Sequence, residues 1–500
     1  MMNENSNFKH KNNNLIHFRK IPKIIFRSLI LIGIIFGLFG NTLAQVTSPL
    51  WDYPIDLTQA SSSTNAIDPI ILCDQYQNTH ILWGDRDEMP ALYYMNDVSG
   101  DWSAPKDVIA NSNNTTLIMR LSGVIQDNPD FLHVLWVDEY LSSVLNYSRV
   151  ALSEASDPRA WKHPLPIAFG IQNGSIDVDG NGILHVVYGV SGVDYPEVLI
   201  NYIYSDDYGD TWSTPVKILS KKVPVPSDST AFIDVDDKMR IHVGISIRSQ
   251  NYGEYSEVGY LQSINGGSSW GDYRLIDDIG TAYQGVNLLT PYSFEGNEIH
   301  LTWHDPRRMH QWSQDGGLTW SDPKEIMPLG AAFGGSNGLT KDSQGTIHVV
   351  TAENGGVFSA NWDGSRWGVP ERIEDRLFDP HGQNITICQG NKLQVVYDDR
   401  SDTQNIWYSY KIVNSPHINQ QVIGTSTEIQ KLDPDKNSDT ENIEEAQFES
   451  DKTEFIGEVD LRNLPIDEQV LGNPIIPILI ASLLVTVLIL VVSIMRRKLI

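Results

Sequence analysis

Five short charged tips are the places in this sequence where chemistry could sit. They read Gly84-Asp85-Arg86-Asp87-Glu88, Val137-Asp138-Glu139-Tyr140, Ser246-Ile247-Arg248, His304-Asp305-Pro306-Arg307-Arg308 and Asp398-Asp399-Arg400-Ser401-Asp402, each following an apolar, strand-like run. A planar guanidinium grips a carboxylate at two points, which makes Arg86, Arg248, Arg308 and Arg400 candidates for holding an acidic ligand. His381, in Asp379-Pro380-His381, and Tyr283 add opposing polar groups. Paired carboxylates can give and take protons across a glycosidic bond, so Asp85, Glu88, Asp305 and Asp399 are the catalytic candidates. The competing reading is that these tips are salt-bridged turns that solvate a rim.

What would bring such distant tips together is a repeat. One phrase, apolar-His-apolar-apolar-aromatic, recurs at His80, His133, His185, His242, His300 and His348, with Gln394 in the seventh copy. The copies lie about 46–58 residues apart, the spacing of propeller blades. A second phrase, Trp-x-x-Pro-x-x-apolar, falls between them at Trp102, Trp161, Trp212, Trp320 and Trp367, and without its proline at Trp270. Its seventh copy, Trp51-Asp52-Tyr53-Pro54, stands before the first His strand, whereas the chain after the last one reaches no such phrase. The N-terminal strand is therefore expected to complete the last blade, because closing the ring removes exposed sheet edges. The fold class predicted is all-β, a seven-bladed β-propeller over residues 46–414, with six blades as the alternative. One His per blade at one strand position reads as packing or hydrogen bonding rather than a metal cluster. Cys73 and Cys388 fall in the inner strands of the first and last blades; two buried free thiols are the favoured reading and a closing disulfide the alternative.

Composition excludes other classes. Thirteen Trp and 20 Tyr describe a chain able to bury a large core. A net charge of −27, from 63 acids against 36 bases, repels phosphate backbones and argues against nucleic-acid binding. Two cysteines cannot build a disulfide framework or a Cys-based zinc site. No motif implies a cofactor. Residues 1–45 have the basic, apolar and small-residue layout of a secretory signal, with an uncleaved anchor as the alternative. Residues 415–473 are acidic and nearly free of aromatics, the composition of a disordered stalk. Residues 474–496 are apolar and long enough to span a bilayer, and the basic Arg497-Lys498 in the tail, 497–500, is expected to stay in the cytoplasm. The expected layout is a single-pass cell-membrane protein with its propeller outside.

A third repeated phrase carries a resemblance. Ser205-Asp206-Asp207-Tyr208-Gly209-Asp210-Thr211-Trp212 recurs as Ser313-Gln314-Asp315-Gly316-Gly317-Leu318-Thr319-Trp320, and more weakly as Ser263-Ile264-Asn265-Gly266-Gly267-Ser268-Ser269-Trp270. This resembles the Asp box, or BNR repeat, of the sialidase superfamily over about residues 46–414. The resemblance implies a propeller whose Asp boxes sit on the rim away from the ligand face, acting in folding. It also implies an arginine in the first inner strand, but that strand here runs Ala66-Ile67-Asp68-Pro69-Ile70-Ile71. The expectation is a propeller that binds glycan or another extracellular ligand without ordinary sialidase turnover. Two alternatives stay open: a glycoside hydrolase or polysaccharide lyase acting on acidic sugars, and a protein-docking scaffold. Whether the chain is an enzyme is not decided by its sequence.

Overall fold

The computed structural model describes residues 51–419, apart from 62, 64, 87–89, 111–117, 139–142, 191–196, 250–254, 279–289, 305–306, 328–337, 354–355, 375–379 and 401–403. The signal segment, most of the stalk and the apolar C-terminal run lie outside the described residues. Among those described, no helix is long and apolar enough to cross a membrane.

Seven four-stranded antiparallel sheets form the blades. Their inner strands are Ala66–Cys73, Ile118–Asp127, Ile171–Val178, Ser227–Val235, Thr290–Ser293, Gly338–Lys341 and Pro380–Cys388, for blades I to VII in order. The His phrase forms the second strand of each blade. Thr79–Asp85 is buried along its whole length because sheets pack against both of its faces. Blade VII takes its outer strand from the N-terminus, with Ile55 opposite Tyr408 and Asp56 opposite Trp407. The sequence therefore located the ring closure correctly, and seven blades rather than six are observed.

The repeated residues explain how the blades adhere. His80, His133, His185 and His242 each place Nδ1 2.7 Å from the hydroxyl of a tyrosine on the third strand: Tyr94, Tyr147, Tyr202 and Tyr260. Gln394 takes the same part in blade VII, accepting from Tyr408 Oη at 2.7 Å. Each tyrosine ring then meets, edge to face, the tryptophan of the next blade. Tyr147–Trp212, Tyr202–Trp270, Tyr260–Trp320 and Tyr408–Trp102 have centroids 4.9–5.2 Å apart. In the Asp boxes, Asp207 and Asp315 accept from the backbone N–H of Thr211 and Thr319 at 2.8 Å, and Gly209 and Gly317 hold φ near +88°. The box is a turn-forming device here.

Inner strands turn one edge toward the axis and leave backbone N–H groups without a ladder partner. Side chains of the neighbouring blade satisfy several of them. Asn173 accepts from Ala231 N, Ser175 from Ile233 N, Asp177 from Val235 N and Asn384 from Ile71 N. Closure also brings the far ends of the inner strands of blades I and VII together. Cys73 and Cys388 are disulfide-bonded there, with Cα atoms 5.6 Å apart. This corrects the favoured reading of two free thiols: adjacency across the closed ring places side chains 315 positions apart within bonding range.

Candidate functional site at the channel mouth

A cavity of about 810 Å³ runs along the propeller axis. Its mouth lies where inner strands begin and second strands end, since Ala66 pairs with Asp85, Ile118 with Asp138, and Pro380 with Asp399. Below the mouth the wall mixes apolar residues, Ile70, Leu121, Phe232, Leu339 and Ile385, with polar and acidic ones, Asn173, Ser175, Asp177, Asp234 and Asn384. Arg86, Arg120, Arg248, Arg400 and His381 line the cavity, from blades I, II, IV and VII.

Four inner strands are bulged at this level. Register slips between Ile67 and Ile70, Met119 and Ser122, Ile171 and Asn173, and His381 and Asn384. A bulge bends the strand and re-aims the side chain that loses its partner. Three of the slipped residues adopt left-handed backbone: Asp68 at φ 49°, Arg120 at 54° and Gly382 at 56°. For a non-glycine residue this conformation is strained by about 1–3 kcal/mol, and such strain gathers at functional sites.

The bulged residues are linked across blades. Arg400 Nη2 donates to Asp68 Oδ1 and Arg400 Nε to Asp398 Oδ2, each at 3.1 Å. Asp68 Oδ2 accepts from Arg120 N at 2.7 Å, and the Arg120 guanidinium reaches the backbone oxygen of Gln172. A polar chain thus runs through blades VII, I, II and III along one side of the mouth. Asp398 is fully buried, and burial pushes its carboxyl up to about 6, opposed by the Arg400 charge and reinforced by Asp68. Asp138, at the mouth end of blade II, is also raised to about 6 by burial, against hydrogen bonds from Trp136 and Asn146. No group of three metal-ligating side chains converges among the described residues.

Of the residues singled out from sequence, Arg86, Arg248, Arg400 and His381 come together on the cavity. Arg308 does not line it. It begins the third strand of blade V opposite His304, is 1% exposed, and donates from Nη2 to the Ala352 carbonyl of blade VI at 3.1 Å. Asp85 and Asp399 are buried at strand ends and are not part of the cavity lining. Glu88, Asp305, Tyr283, Asp379 and Glu139 lie outside the described residues. Sequence reasoning missed Asp68, Arg120, Gln172 and Asp398 as site residues. Two signals stood in the sequence: a proline directly after Asp68 in a strand that should ladder, and an arginine inside the apolar run Ile118-Met119-Arg120-Leu121.

No family model and no curated protein matches the sequence. Solved structures with a similar fold include an ulvan lyase, a polysaccharide lyase bound to -[GlcA(1-4)Rha3S]-, at 11% identity and TM-score 0.49, covering 72% of this chain and 97% of that one. A leech intramolecular trans-sialidase complexed with 2,7-anhydro-Neu5Ac has 11% identity and TM-score 0.41, covering 72% and 70%. A Dyadobacter fermentans protein of unknown function has 11% identity and TM-score 0.46, covering 73% and 98%. The chain is a seven-bladed β-propeller.

Proposed function

We propose that this propeller is the ligand-binding head of a membrane-tethered cell-surface protein, and that its channel mouth takes the carboxylate of an acidic saccharide without ordinary sialidase turnover. The observation that carries this reading is the convergence of Arg86, Arg120, Arg248 and Arg400 on one cavity in a chain whose net charge is −27. Concentrating scarce cations at a concave site focuses the local field and draws in anions. The apolar members of the wall beneath, Ile70, Phe232 and Leu339 among them, suit the carbon face of a sugar ring. Fold alone does not assign this role; the mouth chemistry is what supports it.

The tether fits that arrangement. Residues 413–419 pack against turns on the face opposite the mouth, with Ile418 N donating to Gln389 O and Ser343 Oγ to Pro416 O. The chain therefore leaves the ring away from the arginine cluster. A closed head spanning residues 46–419, incubated with sialylated and uronate-containing glycans and followed by mass spectrometry, tests the reading. Binding without a mass change is the expected result. Addition of water would make the protein a hydrolase, an unsaturated product would make it a lyase, and no interaction with any acidic glycan would refute the proposal.

A further inference from the structure

Arg400 is held on two edges, by Asp398 through Nε and by Asp68 through Nη2. Asp68 is one-sixth exposed and in reach of the cavity, whereas the Asp398 side chain is completely buried. Its second oxygen, Oδ1, has no hydrogen-bond partner among the described residues. That oxygen faces Gly382, where a Cβ would stand 2.6 Å from it, so glycine is what leaves the space open. Directly across the strand pair from Asp398 is His381. Among the described residues, the charged and titratable groups around this carboxyl include Arg400 just beyond its own strand, His381 on the inner strand of blade VII, and Asp68 on blade I. A buried carboxylate with one bonded and one bare oxygen is poorly compensated as an anion, and a proton on the bare oxygen relieves it.

We propose that Asp398 is the positioning residue of the anion site: it fixes Arg400 against Asp68 and, by taking up a proton, sets how strongly the mouth grips a carboxylate. With Asp398 ionised, the Arg400 charge is balanced by two carboxylates. With Asp398 protonated, that carboxyl no longer opposes it, and more of the cation's field reaches the cavity. The raised proton affinity that burial gives Asp398 puts this change between neutral and mildly acidic pH. The inference rests on the reading of the mouth as an anion site.

Glucuronate and N-acetylneuraminate are the probes, titrated calorimetrically into the full chain at pH 7.5 and 5.0. Wild type is expected to bind about tenfold more tightly at pH 5.0, the scale of removing one nearby charge at high effective dielectric. His381 lies directly opposite the same carboxyl, so two variants separate the groups. Asp398→Asn, neutral and of the same shape, should bind at pH 7.5 about as tightly as wild type does at pH 5.0. It should also melt higher than wild type at pH 7.5, with the gap shrinking at pH 5.0. His381→Gln should keep most of the pH dependence. Should Asp398→Asn bind more weakly than wild type at both pH values while melting normally, Asp398 is a brace and the inference is wrong. It is equally wrong if that variant keeps the full wild-type pH dependence. If neither probe binds wild type at either pH, the acidic-saccharide reading itself fails, and this inference falls with it.

Discussion

His133 offers a substitution whose effect can be worked out in advance. It is fully buried, with Nδ1 2.7 Å from Tyr147 Oη and Nε2 3.2 Å from Gln126 Oε1. Burial, with a smaller contribution from the Arg149 charge, lowers its pKa to about 3. In the unfolded chain the same imidazole titrates near 6.5, about the usual value. Its folded pKa is thus depressed. Relative to a side chain that does not titrate, it costs nothing above pH 6.5 and destabilises progressively as pH falls from 6.5 toward 3. At pH 5.0 the loss is about 1.36 × 1.5, or roughly 2 kcal/mol. Blade VII supplies the control, since Gln394 makes the equivalent tyrosine hydrogen bond without a titrating ring. His133→Gln should therefore gain about 2 kcal/mol on wild type between pH 7.5 and 5.0, whatever it gains or loses at pH 7.5. Urea unfolding of both proteins at both pH values gives this double difference, in which the other buried histidines cancel. A double difference below about 0.5 kcal/mol would mean that His133 is not held neutral by its surroundings, and the account of the repeated histidine would be refuted.

Other expectations follow from the same structure. Replacing Cys73 and Cys388 together by alanine should lower stability by about 2–4 kcal/mol, because the bridge closes a very long loop; two titratable thiols in the native wild-type protein would contradict this. Arg400→Ala should weaken binding of an acidic glycan by about tenfold or more and also lower the melting temperature at pH 7.5, because it leaves the buried Asp398 carboxyl without its countercharge. Arg308→Ala should lose about 2–4 kcal/mol of stability by removing the hydrogen bond to the Ala352 carbonyl and leaving a void between blades, with affinity retained. Equal effects of Arg308→Ala and Arg400→Ala on affinity would show that the cavity has been placed wrongly. Gly382→Ala should cost about 1–3 kcal/mol, since it imposes a side chain at φ 56° against Asp398 and Pro69, and thermal melting measures it directly.

The period of the His and Trp phrases determined the blade number and order, because every blade must bury the same faces and so repeats the same residues at the same strand positions. The displaced Trp51 phrase determined how the ring closes, since an unpaired outer edge needed a strand and only the N-terminus had one to give. The Asp boxes were legible for the same reason: the chemistry of a tight turn is local. The site was legible only in part. Arg308 and Arg400 look alike in sequence, each an arginine just past a His-type strand position. Arg308 starts the next strand opposite His304 and packs into blade VI, whereas Arg400 stays beyond the strand end and reaches the mouth. Asp68 and Arg120 enter the site because their strands slip register into left-handed backbone, which the proline after Asp68 hints at but which the sequence around Arg120 does not place. The Cys73–Cys388 bridge and the pairing of Arg400 with Asp68 both join residues more than three hundred positions apart. Sequence patterns report contacts that recur within a blade or from one blade to the next, but only the closed ring decides which single residues meet across its seam.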